Sequence, residues 1–175
     1  MVREHVVLVG MPGSGKSTLG FHVSMLLGLP FIDTDNYIVT KMRKSVTSIF
    51  QAYGEDKFRQ LEQQALEEVL NGIPSVVSTG GGMPCFHNNM DLITQKAISV
   101  YLKVEPSALA EYLKNDKKRP LLKDKSPEEL LEYIITSMDS RKCYYEKADI
   151  TINAYEGTPT ELAINLVDML NNFRK

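Results

Sequence analysis

Cysteine and histidine are scarce in this chain, with two of the first (Cys85 and Cys143) and three of the second in 175 residues. Neither cysteine belongs to a C-x-x-C pair, and no histidine stands at ligand spacing from them. The pattern therefore excludes zinc-finger ligation and thioredoxin-type redox chemistry. A disulfide is admitted, but two reduced thiols are the expectation. An excess of one charge is also missing. Twenty basic residues stand against 22 acidic ones, for a formal net charge of −2. The densest basic cluster, Lys117-Lys118-Arg119, is bordered by Asp116 and Asp124, so no nucleic-acid partner is expected. No apolar run approaches the ~20 residues that span a bilayer. Residues 1–5 are too polar to anchor, and the apolar run 6–9 is too short for a signal sequence. A cytoplasmic protein without a membrane partner is expected. Internal repeats and low-complexity segments are absent as well. Composition, at 43% hydrophobic and 24% charged, suits one globular domain spanning residues 1–175.

Against these absences stands one strong motif. Gly10-Met11-Pro12-Gly13-Ser14-Gly15-Lys16-Ser17 fits G-x-x-x-x-G-K-[ST]. It follows the apolar run Val6-Val7-Leu8-Val9 and precedes a helical stripe of Leu19, Val23, Leu26 and Leu27. Strand, glycine-rich turn and helix are the context in which this motif cradles a polyphosphate. The turn aims backbone N–H groups at one point, and the helix opening near Lys16 adds its positive end. ATP or GTP binding is predicted, with Lys16 at the β- and γ-phosphates and the Ser17 hydroxyl offered to Mg²⁺.

Short apolar segments alternate with helical patterns along the rest of the chain. Strands are expected at residues 6–9, 31–32, 75–78, 98–102 and 150–152. One helical face carries Phe58, Leu61, Ala65, Leu66 and Val69. Ser126-Pro127-Glu128-Glu129 and Thr158-Pro159-Thr160-Glu161 both read as capping boxes with proline at the first helical position. The alternation predicts an α/β fold, a parallel sheet with helices on both faces. Ligands then bind at the carboxyl ends of the strands.

The segments expected at that rim hold the candidate groups. Asp33 suits Mg²⁺, or else caps the following helix. Asp35 is a candidate to orient a hydroxyl and accept its proton, or is itself a cap. Arg59 and Glu62, three apart on one helix, read as a surface ion pair worth little. Arg141 shares a stripe with Leu130, Ile134, Met138 and Tyr145, so its guanidinium needs a protein carboxylate or a bound anion. Gly80-Gly81-Gly82 allows a small ligand close to the backbone, or forms a tight turn. Residues 115–125, with Arg119-Pro120, have the makings of a mobile lid, or form a solvated loop.

Taken together, these landmarks resemble the shikimate kinase family of P-loop enzymes over nearly the whole chain. They run in the family's order: the phosphate loop, Asp33-x-Asp35, Gly54-Glu55-x-x-Phe58-Arg59-x-x-Glu62, Gly80-Gly81-Gly82, Arg119-Pro120-Leu121-Leu122 and Arg141-x-x-x-Tyr145-x-x-Ala148. The resemblance implies a three-layer P-loop kinase fold with a five-stranded parallel sheet. It implies transfer of the ATP γ-phosphate to the 3-hydroxyl of shikimate, with Mg²⁺, in aromatic amino-acid biosynthesis. By residue, it implies Asp35 as base, with Lys16 and Arg119 also catalytic. Gly13, Ser14, Gly15, Lys16, Ser17, Thr18, Arg119 and Pro159 would hold nucleotide, the loop 153–159 flanking adenine. Asp35, Arg59, Gly80, Gly81, Gly82 and Arg141 would hold shikimate, within a helical region at about 34–62, and Glu62 would steady Arg59. Ser17 and Asp33 would serve the metal. Two positions depart from the pattern: Arg43, where glycine is frequent, and Ser48, where glutamate is frequent. A nucleotide kinase on the same scaffold and a binding module without turnover are the competing readings. No long apolar surface stripe demands a partner chain, so a monomer is expected.

Overall fold

A computed structural model describes residues 4–114 and 126–173. The first strand, β1 (His5–Val9), is central and buried on both faces. Its alternating side chains divide the core. Val7 and Val9 join a cluster with Leu66, Val77, Ile93 and Tyr145, while Val6 and Leu8 join another with Leu19, Val23, Leu162 and Leu166. A strand apolar on every residue is what a sheet covered on both sides requires.

Around β1 the chain runs α1 (Lys16–Leu27), β2 (Phe31–Asp33), α2 (Thr34–Met42), α3 (Val46–Leu70), β3 (Val76–Ser78), a 3-10 turn (Met83–Cys85), α4 (Asn89–Lys96), β4 (Ala97–Lys103), α5 (Pro106–Leu113), α6 (Pro127–Tyr145), β5 (Ile150–Asn153) and α7 (Pro159–Asn172). All five expected strands form, and they lie in the order β2-β3-β1-β4-β5 with every pairing parallel. The two expected capping boxes close on α6 and α7, with Ser126 and Thr158 each bonded reciprocally to the glutamate three residues on. Among the described residues, no helix is long and apolar enough to cross a membrane. The segment 115–125, expected as a lid and containing Arg119, lies outside the described residues.

Strand register positions the site. Leu8 and Asp33 both pair with Ser78, so β1, β3 and β2 end level with one another. Three loops therefore leave the sheet side by side. A third cluster, Ile38, Ile49, Phe58, Leu61 and Ala65, fastens α2 to α3 beyond that rim. Within α3, Gly54 (φ 78°, ψ 175°) breaks the helix in two. Arg43 ends α2 at φ 53°, a left-handed conformation that glycine adopts without steric cost. The frequent family glycine there thus has a backbone reason. Ser48 occupies the position where glutamate would complete a capping box, and its hydroxyl instead meets that of Ser45 at 2.8 Å.

Candidate active site

The phosphate loop turns through Gly13 (φ 86°) and Gly15 (φ 94°), conformations open to glycine but strained for other residues. Gly15 is also the residue before α1, and no side chain caps that helix. Its first N–H groups are thus left facing the cleft, as an anion site requires. Lys16 is 6% exposed. Its ammonium donates to the carbonyls of Gly10 (2.9 Å) and Met11 (2.8 Å).

Level strand ends bring three oxygens together. The Ser17 hydroxyl donates to Asp33 Oδ2 at 2.7 Å and meets the Ser78 hydroxyl at 3.1 Å. The other Asp33 oxygen, Oδ1, accepts from the N–H groups of Asp35 and Asn36. Capping and meeting Ser17 are therefore not alternatives for Asp33: one oxygen does each. Among the described residues, no group of three or more His, Cys, Asp or Glu side chains could hold a metal. This hydroxyl–carboxylate set suits Mg²⁺, which takes hard oxygen ligands and keeps several waters or phosphate oxygens. Ser78 had no signal of its own in the sequence; only the register of β3 puts it here.

Asp35 is not the cap of α2, since that place belongs to Asp33. Its carboxylate leans over the glycine loop. A Cβ added to Gly80 would lie 2.7 Å from Asp35 Oδ1, one added to Gly81 2.5 Å from Pro12 Cδ, and one added to Gly82 2.6 Å from Arg59 Nη1. None of the three glycines has a positive φ. They are glycines because three separate parts of the site touch this backbone: the acidic residue, the phosphate loop and the arginine. Gly81→Ala would drive a side chain into the stiff Pro12 ring. It is expected to destabilise the fold by about 1–3 kcal/mol, the usual cost of overpacking. A urea unfolding midpoint unchanged from wild type would show that the two loops can part freely.

Arg59 and Glu62 do not form the surface pair that their position off the apolar stripe suggests. Glu62 is 2% exposed and the Arg59 side chain 13%, with Nη1 donating to Glu62 Oε2 at 2.7 Å. Arg59 also donates to Glu55, and its guanidinium lies 4.1 Å from the Phe86 ring centre. The face of α3 beside the stripe is thus covered by the glycine loop and Phe86 rather than by water. Burial pushes the Glu62 carboxyl up to about 7, against the pull of Arg59 and with the help of the Asp35 and Glu55 charges. Burial likewise works against the Arg59 charge, but Glu62 and Glu55 outweigh it and hold that pKa above its ordinary value. Because the folded pKa of Glu62 is the raised one, its contribution to stability is complete below about 4.5 and is lost as pH rises through about 7.

These groups line one cleft of about 410 Å³. It holds Gly13, Gly15, Lys16, Ser17, Thr18, Asp33, Asp35, Arg59, Glu62 and Gly80 to Gly82, together with Val46, Phe58, Thr79 and Tyr112. A second cleft of about 250 Å³ adjoins the outer side of the phosphate loop, lined by Gly13, Ser14, Thr18, Tyr155, Gly157 and Pro159. Tyr112 lies on both clefts and was missed in the sequence reading, where nothing marked the exposed face of α5. Arg141 lines neither. It is half-buried on α6, beside the Cys85 thiol and the Tyr145 hydroxyl, whose ionised forms its charge favours. Burial outweighs that effect in both, pushing Cys85 up to about 11. Tyr145 in turn donates to the Gly81 carbonyl at 2.7 Å, pinning α6 to the glycine loop. Cys85 and Cys143 are both free thiols.

Known proteins are similar to this chain over most of its length. A family model for shikimate kinase matches residues 12–171. A shikimate kinase from Azobacteroides pseudotrichonymphae is 41% identical over 166 residues, covering 94% of this chain and 98% of the relative. The crystal structure of shikimate kinase from Bacteroides thetaiotaomicron superposes with a TM-score of 0.91 at 35% identity, over 97% of this chain and 99% of that one. Shikimate kinase from Acinetobacter baumannii, solved in complex with shikimate, gives a TM-score of 0.87 at 32% identity, over 99% and 97%. A match this long leaves no element of either cleft outside it, and the chain belongs to the shikimate kinase family.

Proposed function

We propose that this protein transfers the γ-phosphoryl group of ATP to the 3-hydroxyl of shikimate. The observation that carries the reading is the single cleft in which a phosphate cradle, a carboxylate at Asp35 and a half-buried arginine at Arg59 face one another. Phosphoryl transfer needs little covalent help from protein; it needs positioning and charge stabilisation. Residues Gly13 to Thr18 hold the phosphates, and the cleft at Tyr155, Gly157 and Pro159 takes the base. Lys16 leaves the loop carbonyls to meet the β- and γ-phosphates. Arg119 is assigned to the phosphates on its place in the sequence. Ser17 and Asp33 hold Mg²⁺, which when bound neutralises charge on the phosphate oxygens. Shikimate lies against Gly80 to Gly82 with its carboxylate between Arg59 and Arg141. Asp35 accepts the proton of the 3-hydroxyl as that oxygen bonds to the γ-phosphorus and the bond to ADP breaks.

Initial rates of ADP release with shikimate, gluconate and AMP as acceptors test the reading. Shikimate is expected to be preferred by a wide margin. Preference for either rival would overturn it, and so would ATP binding without shikimate-dependent ADP release. The carboxylate clamp has its own check. Arg141→Ala removes a charge-assisted hydrogen bond worth about 1.5–3 kcal/mol. The KM for shikimate should rise roughly ten- to a hundredfold, with the KM for ATP little changed. An unaltered shikimate KM would remove Arg141 from the clamp.

A further inference from the structure

Arg59 is heavily subscribed. Its guanidinium already binds Glu62 at 2.7 Å and Glu55 at 2.7 Å, and a third carboxylate, Asp35, acts on Glu62. Asp35 Oδ1 and Glu62 Oε1 lie 2.7 Å and 3.1 Å from one point, the place where a Gly80 side chain would begin. They are therefore at most about 6 Å apart, within the range at which one carboxylate disfavours ionisation of another. Glu62 is 2% exposed, so water does little to relieve the crowding.

Among the described residues, the other charges around Glu62 are engaged elsewhere. On α2, Tyr37 and Lys41 are engaged by Glu68, and Asp33, before α2, is bonded to Ser17. On α4, Asp91 pairs with Lys147 and Lys96 bonds Asn71. The 3-10 turn contributes the Cys85 thiol, which burial keeps protonated. The ammonium of Lys16, in the same cleft, is bonded to the loop carbonyls. Among the described residues, the positive partner of Glu62 is the arginine that the substrate must also use.

We propose that docking of an anionic acceptor on Arg59 is coupled to uptake of one proton at Glu62. The inference rests on the reading of shikimate as acceptor. An arriving carboxylate draws part of the Arg59 charge to itself, adds a negative charge nearby and displaces water. Each change disfavours ionised Glu62. Arg141 offsets some of the incoming charge, but from the Cys85 and Tyr145 side of the site. Protonated Glu62 keeps a carbonyl oxygen to accept from Arg59, so the guanidinium stays in place while the excess charge is removed. The buried Glu62 beside Arg59 then sets the pH range over which the acceptor binds tightly.

Calorimetric titration of the full-length protein with shikimate tests this, run at pH 7.5 in buffers of differing ionisation enthalpy. With the free carboxyl near 7 and a rise of about one unit on binding, roughly half a proton should be taken up per shikimate bound. Affinity should weaken by about five- to tenfold between pH 6 and pH 8.5. Glu62→Gln should bind with no proton uptake and with an affinity flat across that range. A merely structural role for Glu62 would produce no uptake in the wild type. Binding without uptake overturns this inference alone, and uptake undiminished in Glu62→Gln overturns its assignment to Glu62. Absence of binding heat in every buffer overturns both the inference and the proposed function. The wild-type measurement decides the matter even if the variant fails to fold.

Discussion

Asp35→Asn is expected to lower kcat at saturating shikimate by about 10²–10⁴-fold, the span that a positioned general base contributes. The substitution keeps shape and volume, and the amide can still hydrogen-bond a ring hydroxyl. It cannot take the proton that the attacking oxygen must shed. Shikimate KM should therefore move far less than kcat, the signature of an interaction realised in the transition state. A second effect runs the other way. The Asp35 charge is one of those that hold the Glu62 carboxyl high. Removing it relieves repulsion on the buried Glu62 carboxylate, so the variant should melt at a higher temperature than wild type at pH 8. Lost activity with gained stability is the mark of a site that stores unfavourable charge for function. A kcat within tenfold of wild type would dismiss Asp35 as the base, and a lowered melting temperature would dismiss the repulsion.

Local pattern carried much of this structure. Four consecutive apolar residues at 6–9 can only suit a strand covered on both faces, and β1 is that strand. Capping boxes at Ser126 and Thr158 marked helix starts because they depend on residues three apart, all in view. The order β2-β3-β1-β4-β5 was not in view, since parallel neighbours are chosen by crossovers rather than by any motif within a strand. With the order went the meeting of Ser17, Asp33 and Ser78, whose third member is an ordinary strand serine.

The Arg59–Glu62 pair shows a different failure. Periodicity assigns a helix one buried face, and these residues fall beside it. But α3 has two covers, the apolar cluster it shares with α2 and the glycine loop with Phe86. A residue just off the stripe is then buried by the second. The family resemblance has Glu62 steady Arg59, and the two side chains are bonded at 2.7 Å. At Gly54, a glycine within a helical stretch costs about 1 kcal/mol and so invites the break that α3 has there. The triplet Gly80 to Gly82 reads as room for a small ligand close to the backbone, or as a tight turn. What approaches in the structure is Asp35, Pro12 and Arg59, and no local pattern distinguishes side chains of the same protein from a ligand.

Lys16→Ala should cost about 10²–10³-fold in kcat, the loss seen when one preorganised donor to developing charge is removed. The structure adds a distinction that turnover alone would miss. The Lys16 ammonium donates to the Gly10 and Met11 carbonyls while 6% exposed, so the group proposed to meet the phosphates also braces the loop. Alanine removes both roles, and carbonyls left without a buried donor cost about 1–3 kcal/mol. Nucleotide makes the two separable. On the proposed reading, wild-type Lys16 exchanges loop carbonyls for phosphate oxygens when ATP binds, and the bracing is lost in any case. The variant begins with it lost. Its melting temperature should fall below wild type without ligand, and saturating ATP should raise it by less than in wild type, since the ammonium–phosphate contact is missing. Lys16→Met, which restores the stem's packing but no donor, should recover part of the unliganded stability and none of the turnover. Near-normal kcat in either variant would be incompatible with Lys16 at the transferring phosphate. Recovered turnover in the methionine variant would place the effect in the stem rather than in the charge.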